Sequence, residues 1–112
     1  NGDPILVTGS PGGNSIIAYT AKTIIGVLAW HHTPQEAIDL PNIIARGETV
    51  AVETDREGGT QVAEELKAAG YNVRERGGEN SGLHVILVTD DGLLGGADPR
   101  REGIVVGLEA EN

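Results

Sequence analysis

The chain has 112 residues, enough for one small domain and too few for two ordinary ones. Its 8 Lys and Arg residues are outnumbered by 17 Asp and Glu residues, which gives a net charge of −9 at neutral pH. This acidity argues against a nucleic-acid or anionic-membrane surface, since both attract basic patches. The absence of cysteine excludes disulfides, thiolate metal sites and a cysteine nucleophile.

The first predicted elements are a strand and a helix joined by glycines. Residues 4–8 form a short apolar run that ends in the sequence Gly-Ser-Pro-Gly-Gly at residues 9–13. This pattern predicts a buried strand followed by a tight turn. Asn14 or Ser15 suits the N-cap of the helix over residues 15–30. That helix is apolar on more than one face and too short to cross a membrane, so we expect a buried helix covered on nearly all sides.

A second, shorter helix is indicated by its end signals. Thr33 suits the N-cap position, Pro34 the first helical position, and Glu36 the reciprocal position of a capping box. Pro41 is expected to end this helix. Residues 42–48 show no regular pattern and are predicted to be irregular.

The rest of the chain alternates strands with one more helix. Thr60 is expected to cap that helix at its start and Gly70 to end it. Asp91-Gly92 between two apolar runs predicts a hairpin. The predicted strands cover residues 49–53, 72–76 and 83–89, with a returning run at 93–94. This order predicts one layered domain of the α/β or α+β class over residues 1–112.

Few side chains have the spacing that metal or acid–base chemistry requires. His31 and His32 are adjacent, so on a helix they point about 100° apart and cannot share one metal ion. His84 stands alone within a strand and is expected at the rim or in the core. No His-x-x-x-His spacing, carboxylate triad or calcium loop is present, so no metal site is predicted. Arg100-Arg101 is predicted to be a surface turn whose local ion pair contributes little energy.

The glycine-rich turn at residues 9–13 is the strongest candidate site. A strand that runs through glycines into a helix presents backbone N–H groups that stabilise negative charge, either a phosphate or a developing oxyanion. A phosphate loop would require Gly-Lys-Ser or Gly-Lys-Thr, whereas this chain has Gly13-Asn14-Ser15, and the dinucleotide-binding fingerprint is absent. The residues alone leave two interpretations open, an anion-stabilising loop and a structural turn.

Four ordered segments resemble the gamma-glutamyltransferase (gamma-glutamyl transpeptidase) family, from about residue 4 to residue 103. Residues 7–17 are similar to the glycine loop and following helix of that family. The other three similar segments are residues 33–41, 80–86 and 95–103. Four segments in the right order are more specific than one glycine loop. Some members carry a Gly-Ser-Thr-like run where this chain has Asn80-Ser81-Gly82, and we expect that departure to leave catalysis untouched.

The resemblance implies part of an N-terminal-nucleophile hydrolase, a four-layer α/β/β/α sandwich made as a precursor that cleaves itself into two subunits. It implies that the new N-terminal Thr of the small subunit attacks the gamma-glutamyl carbonyl. Water, an amino acid or a peptide then takes the acyl group. This chain resembles only the C-terminal part of the small subunit, so that nucleophile lies outside it. Gly12 and Gly13 match the oxyanion-hole glycines of the family, and no cofactor or metal is implied.

The resemblance also sets expectations about substrate, partners and location. Glutathione is the expected substrate class, with cephalosporin-acylase-type or poly-gamma-glutamate-processing activity as alternatives. A non-catalytic anion-binding module is an alternative of another kind. The expected partners are the large subunit, the rest of the small subunit and an acyl acceptor. The isolated chain is expected to be inactive and to self-associate through the helix 15–30 or an open sheet edge. Residues 1–4 lack signal-peptide features and an initiator Met, so we expect part of a longer protein. The resemblance implies export through a signal peptide on the large subunit, so we expect the whole protein in the periplasm or the extracellular space.

Overall fold

The computed structural model describes residues 2–108, in which helices and strands alternate. The helical segments are a 3₁₀ turn at Gly13–Ser15, α1 at Ile16–Leu28, α2 at Pro34–Asp39 and α3 at Gly59–Ala68. The strands are β1 at Leu6–Gly9, β2 at Ile43–Arg46, β3 at Thr49–Glu53, β4 at Asn72–Arg76, β5 at His84–Thr89 and β6 at Gly92–Ala97. The mixed α/β class predicted from the sequence is confirmed.

The first sheet has the strand order β1-β5-β6 and is antiparallel throughout. β5 and β6 form a hairpin in which Thr89 lies opposite Gly92, so the predicted hairpin is confirmed. At the other end of the sheet, Gly9 lies opposite His84. The glycine-rich turn therefore leaves β1 beside the start of β5.

The second sheet has the order β2-β3-β4 and combines both strand directions. β2 and β3 are antiparallel, with Arg46 opposite Thr49, whereas β3 and β4 are parallel and connected through α3. The prediction that residues 42–48 are irregular is wrong, because four of them form β2. Gly47 has a φ of 58°, which allows the tight reversal into β3. A four-residue strand is too short for alternation to be visible in the sequence.

The predicted start of α2 and the predicted end of α3 are confirmed. The Glu36 N–H donates to Thr33 Oγ1 over 3.2 Å, and the Thr33 N–H donates to Glu36 Oε1 over 2.9 Å, which is the predicted capping box. After α3, Gly70 has a φ of 97° and its N–H donates to the carbonyl of Lys67. This is the left-handed C-terminal arrangement that glycine favours.

The prediction that Thr60 caps α3 is wrong. The helix begins at Gly59, and the N-cap is Gly58, whose φ of 82° only glycine adopts readily. A Cβ atom added at Gly59 would overlap the carbonyl oxygen of Glu53. The start of α3 thus lies directly against the end of β3, and this packing overrides the local preference of Thr60 for a cap.

The core lies between the first sheet and the helices α1 and α2. Its buried cluster consists of Tyr19, Ile38, Ile44, Leu83 and Val85. The opposite face of the first sheet is exposed and apolar, with side chains from Ile5, Val7, Ile86, Val88 and Leu93.

Helix α1 also remains partly uncovered. Its Ile17 side chain is 80% exposed, so the described residues do not supply the cover on nearly all sides that the sequence predicts. The helix sits on the first sheet and on β2, and the apolar residues on its other side face outward. Among residues 2–108, no helix combines the length and the apolar character that crossing a membrane requires.

Candidate functional site

The glycine loop, residues 9–13, connects the end of β1 to the start of α1. A 3₁₀ turn at Gly13–Ser15 leads into the helix, and the Ser15 N–H donates to the carbonyl of Gly12 over 3.0 Å. Ser15 occupies the N-cap position of α1, as expected, but its side chain does not cap the helix. Its hydroxyl accepts a hydrogen bond of 2.7 Å from Arg46 instead. The N-terminus of α1 is therefore left open toward the loop.

Gly12 and Gly13 both adopt backbone conformations that favour glycine. Gly12 has a φ of 142° and Gly13 a φ of 56°. Both residues are exposed, and within residues 2–108 neither of their N–H groups donates a hydrogen bond. Two consecutive unpartnered N–H groups at the positive end of a helix form a site that suits a negatively charged oxygen.

Ser10 and Pro11 hold the loop against the segment that precedes β5. The Ser10 hydroxyl accepts a hydrogen bond of 3.0 Å from the Gly82 N–H and donates one of 2.7 Å to the carbonyl of Pro11. The Pro11 ring lies so close to Gly82 that a Cβ atom there would be 3.0 Å from it. Through these contacts Ser10 and Pro11 shape the loop.

A groove of about 410 Å³ runs from the glycine loop along the exposed face of the first sheet. Val7 and Ile86 form its apolar floor, and His84 lies at its rim. His84 is exposed, and its Nδ1 lies 3.2 Å from the carbonyl oxygen of Gly82. Of its two expected positions, at the rim or in the core, the structure shows the rim. Within residues 2–108, no group of three or more His, Cys, Asp or Glu side chains is arranged to hold a metal ion.

Arg100 lies in a buried ionic network that the sequence does not indicate. Its side chain is only 3% exposed, and it forms ion pairs of 2.6 Å with Glu53 and 3.0 Å with Asp98. The guanidinium also donates to the carbonyls of Ile38 and Leu40. The prediction of a surface turn with a weak ion pair is therefore wrong for Arg100. Asp98 is a local partner, but Glu53 comes from β3 and the two carbonyls from the end of α2, so nothing local in the sequence could have indicated the burial of Arg100.

Hydrogen bonds keep both members of the Asp98–Arg100 pair charged despite burial. Burial by itself would raise the pKa of Asp98, but hydrogen bonds from Ser81 and from the N–H groups of Arg100 and Leu83 outweigh it and lower that pKa. Burial by itself would lower the pKa of Arg100, but the hydrogen bonds to Glu53 and Asp98 outweigh it and raise that pKa. The network links β3, β5 and the turn after β6.

Lys22 lies beside this network on α1. Its Nζ donates to the carbonyls of Ile38 and Leu40 over 2.8 and 2.9 Å, the same carbonyls that Arg100 contacts. Burial, followed by the charge of Arg100, lowers the pKa of Lys22 to about 7. The carboxylates of Asp98, Glu53 and Asp39 act in the opposite direction but do not compensate.

This pKa predicts a pH-dependent stability that the Lys22→Met variant should lose. Between pH 7 and about 10.5 the unfolded chain keeps the Lys22 proton while the folded chain releases it, so the free energy of unfolding rises with pH by up to about 1.4 kcal/mol per unit. Urea unfolding of both proteins at pH 6.5 and pH 9 measures the difference. The exposed Lys67 provides the control, since Lys67→Met should keep the wild-type slope. An equal change in the free energy of unfolding between the two pH values for wild type and Lys22→Met would contradict the prediction.

Comparison with known proteins adds to this geometry. The sequence model of the gamma-glutamyltranspeptidase family matches residues 1–108. A curated protein from Pseudomonas aeruginosa named glutathione hydrolase proenzyme is 26% identical over 107 residues, which is 93% of this chain and 19% of that protein. The chain thus spans about a fifth of the length of that relative.

Solved structures show the same fold. The structure of gamma-glutamyltranspeptidase from Pseudomonas nitroreducens complexed with L-DON has a TM-score of 0.80 at 25% identity, over 97% of this chain and 58% of that one. Cephalosporin acylase from Bacillus halodurans has a TM-score of 0.79 at 24% identity, over 96% of this chain and 21% of that one. The expected fold class, part of the N-terminal-nucleophile hydrolase sandwich, is confirmed by this likeness. The match of the family model over residues 1–108 shows that the chain belongs to the gamma-glutamyltranspeptidase family.

Proposed function

We propose that this chain supplies the oxyanion-stabilising loop of an enzyme that transfers or hydrolyses gamma-glutamyl groups. In this proposal the N–H groups of Gly12 and Gly13 receive the carbonyl oxygen of the substrate as it becomes negatively charged. The observation that carries the proposal is the pair of exposed, unpartnered N–H groups on consecutive glycines with positive φ, in a chain of this family. Fixed donors of this kind lower the barrier of acyl transfer because they are already oriented when the charge develops.

The proposed reaction requires a nucleophile from outside this chain. A threonine hydroxyl forms a bond to the gamma-glutamyl carbon, its proton passes to the threonine amine, and the electron pair of the carbonyl moves onto the oxygen. When the oxyanion collapses, the bond to the leaving amine breaks and that amine takes the proton. Water or an acceptor amine then attacks the acyl carbon and gives a proton to the threonine amine, which forms a second oxyanion in the same loop. When this oxyanion collapses, the ester bond to the threonine oxygen breaks and that oxygen takes the proton back. The absence of side chains at Gly12 and Gly13 leaves room for the reacting carbon to approach the backbone.

We further propose a glutathione-like substrate and a larger protein partner. The similarity to the glutathione hydrolase proenzyme of Pseudomonas aeruginosa supports this substrate class. The likeness to a cephalosporin acylase shows a shared fold at 24% identity and does not favour that activity. The partner is the rest of such an enzyme, including its large subunit. Support comes from the exposed apolar face of the first sheet and from the short share of the relative that this chain covers.

The test starts from the native protein that contains this chain, purified from its source. Intact mass and N-terminal sequencing are expected to show a longer small subunit that begins with Thr and co-purifies with a larger partner. This complex should release 4-nitroaniline from gamma-glutamyl-4-nitroanilide and glutamate from glutathione, and should leave a glutaryl-cephalosporin amide intact. Cleavage of the glutaryl amide alone would assign an acylase instead. A native chain that begins at Asn1, without a partner or activity, would favour the anion-binding module.

A further inference from the structure

We propose that Tyr19 and Glu79 form a brace that positions the glycine loop without touching the substrate. This inference rests on the proposed function of Gly12 and Gly13 and names two positioning residues for it. Tyr19 comes from α1, whereas Glu79 precedes β5 and is 60 residues away in sequence.

The Tyr19 ring is the surface against which Gly12 rests. A Cβ atom added at Gly12 would lie 2.7 Å from Tyr19 Cε2 and 3.2 Å from Cδ2, so the ring and the loop backbone are in direct contact. Tyr19 is 4% exposed and belongs to the core cluster, which fixes the ring in place. The backbone of Gly12 therefore cannot move toward the helix.

Glu79 fixes the other end of the tyrosine side chain. The Tyr19 hydroxyl donates a hydrogen bond of 2.5 Å to Glu79 Oε2, and the Glu79 side chain is only 9% exposed. The other carboxylate oxygen of Glu79 lies 3.9 Å from the Arg76 guanidinium. A hydrogen bond to a carboxylate contributes more than one between neutral groups, so this part-buried contact is a firm link between α1 and the segment before β5.

The segment Glu79–Gly82 is itself anchored to the buried network. The Ser81 hydroxyl donates to Asp98 and accepts a hydrogen bond of 3.0 Å from the Asn42 side chain. Next to it, the Gly82 N–H donates to the Ser10 hydroxyl of the glycine loop. The loop is thus tied to one rigid segment at two points, through Ser10 and through Tyr19.

Such bracing matters because an oxyanion hole works only when its donors are oriented before the charge develops. A displacement of about 1 Å can cost on the order of 10²-fold in rate. Although the sequence pattern alone gives Asn80-Ser81-Gly82 no part in catalysis, its contacts give this segment an indirect, positioning role.

Steady-state kinetics of the native, processed protein on gamma-glutamyl-4-nitroanilide test the brace. Tyr19→Phe removes the hydroxyl and keeps the ring, so we expect kcat to fall about tenfold while KM stays within twofold, since the substrate itself loses no contact. Glu79→Ala should have the same effect. The double variant Tyr19→Phe/Glu79→Ala should have a kcat no lower than either single variant, because both changes remove the same hydrogen bond. Glu79→Gln keeps an acceptor oxygen and should retain at least half of kcat. The control is Tyr71→Phe, the same change at an exposed tyrosine.

Amide hydrogen exchange tests the brace without relying on activity. The N–H groups of Ser15 and Gly82 are both bonded to the loop, and we expect them to exchange at least tenfold faster in Tyr19→Phe than in wild type or Tyr71→Phe. A wild-type protein without gamma-glutamyl activity would overturn the proposed function, and the exchange rates would then decide the brace alone. Unchanged exchange of both amides in Tyr19→Phe would overturn the brace. If the wild-type protein is active, an unchanged kcat in Tyr19→Phe would overturn the brace as well.

Discussion

Replacing Arg100 with Met is expected to destabilise the folded chain by about 3–5 kcal/mol, because it leaves buried carboxylates without their counter-ion. The guanidinium donates to both oxygens of Glu53 and to one oxygen of Asp98, at distances between 2.6 and 3.0 Å. Both acidic side chains are almost completely buried. The neighbouring Lys22 donates to the carbonyls of Ile38 and Leu40 and forms no hydrogen bond with Glu53 or Asp98, so it does not supply the lost donors.

The urea concentration at the unfolding midpoint, followed by circular dichroism, measures this loss. Arg74→Met is the control, since Arg74 is exposed on β4 and its replacement should change stability by less than about 0.5 kcal/mol. Arg100→Lys keeps the charge but not the planar fork, so it should lie between wild type and Arg100→Met. If Arg100→Met were too unstable to purify, the lysine variant would still show a lower midpoint than Arg74→Met. Equal midpoints for Arg100→Met and Arg74→Met would contradict the prediction.

Elements with local signals were predictable from the sequence. The capping box at Thr33 and Glu36 and the terminating Gly70 depend on residues within one turn of each other, and the structure confirms both. The hairpin at residues 84–97 is likewise confirmed because its turn residues and its two apolar runs are adjacent.

Features that depend on distant contacts were not predictable. Strand β2 exists because β3 pairs with it, and its four residues are too few to show a period. Helix α3 starts at Gly59 because β3 lies against it, not because of a cap at Thr60. Arg100 lies 47 residues from Glu53, so a residue that resembles a surface arginine in sequence is buried in the fold. Long-range packing decides each of these cases.

In the candidate site, too, the local features could be predicted from the sequence and the long-range contacts could not. The glycine loop could be found because its residues are consecutive and because residues 7–17 resemble a family motif. The unpartnered N–H groups of Gly12 and Gly13 depend on backbone angles that the composition does not reveal. The contact of the loop with Tyr19 depends on how α1 packs, and no local signal marks it. The sequence thus indicates where the loop lies, whereas the structure shows which residues contact it.

Replacing Gly12 with Ala is expected to lower kcat/KM for gamma-glutamyl-4-nitroanilide by about 10²–10³-fold, the usual effect of losing one oxyanion-hole donor. At a φ of 142° an alanine is strained, and its Cβ atom would overlap the Tyr19 ring. The backbone must rotate to relieve both problems, and the Gly12 N–H then points away from the oxyanion. The same strain should also lower the thermal midpoint of the variant.

Gly13 and Gly47 form a matched pair that separates catalysis from stability. Their φ angles are 56° and 58°, and a Cβ atom added at either one meets no other atom within 4 Å. Alanine should therefore cost about 1–2 kcal/mol of stability at both positions. Only Gly13→Ala should reduce activity, by about tenfold or more, because Gly47 lies in the turn between β2 and β3. Equal activity of the two variants would argue against an oxyanion role for Gly13, since the backbone penalty is the same in both. If Gly12→Ala alone lost much of its activity, the Gly12 N–H would be the one oxyanion donor in the loop, and Gly13 would not be a second.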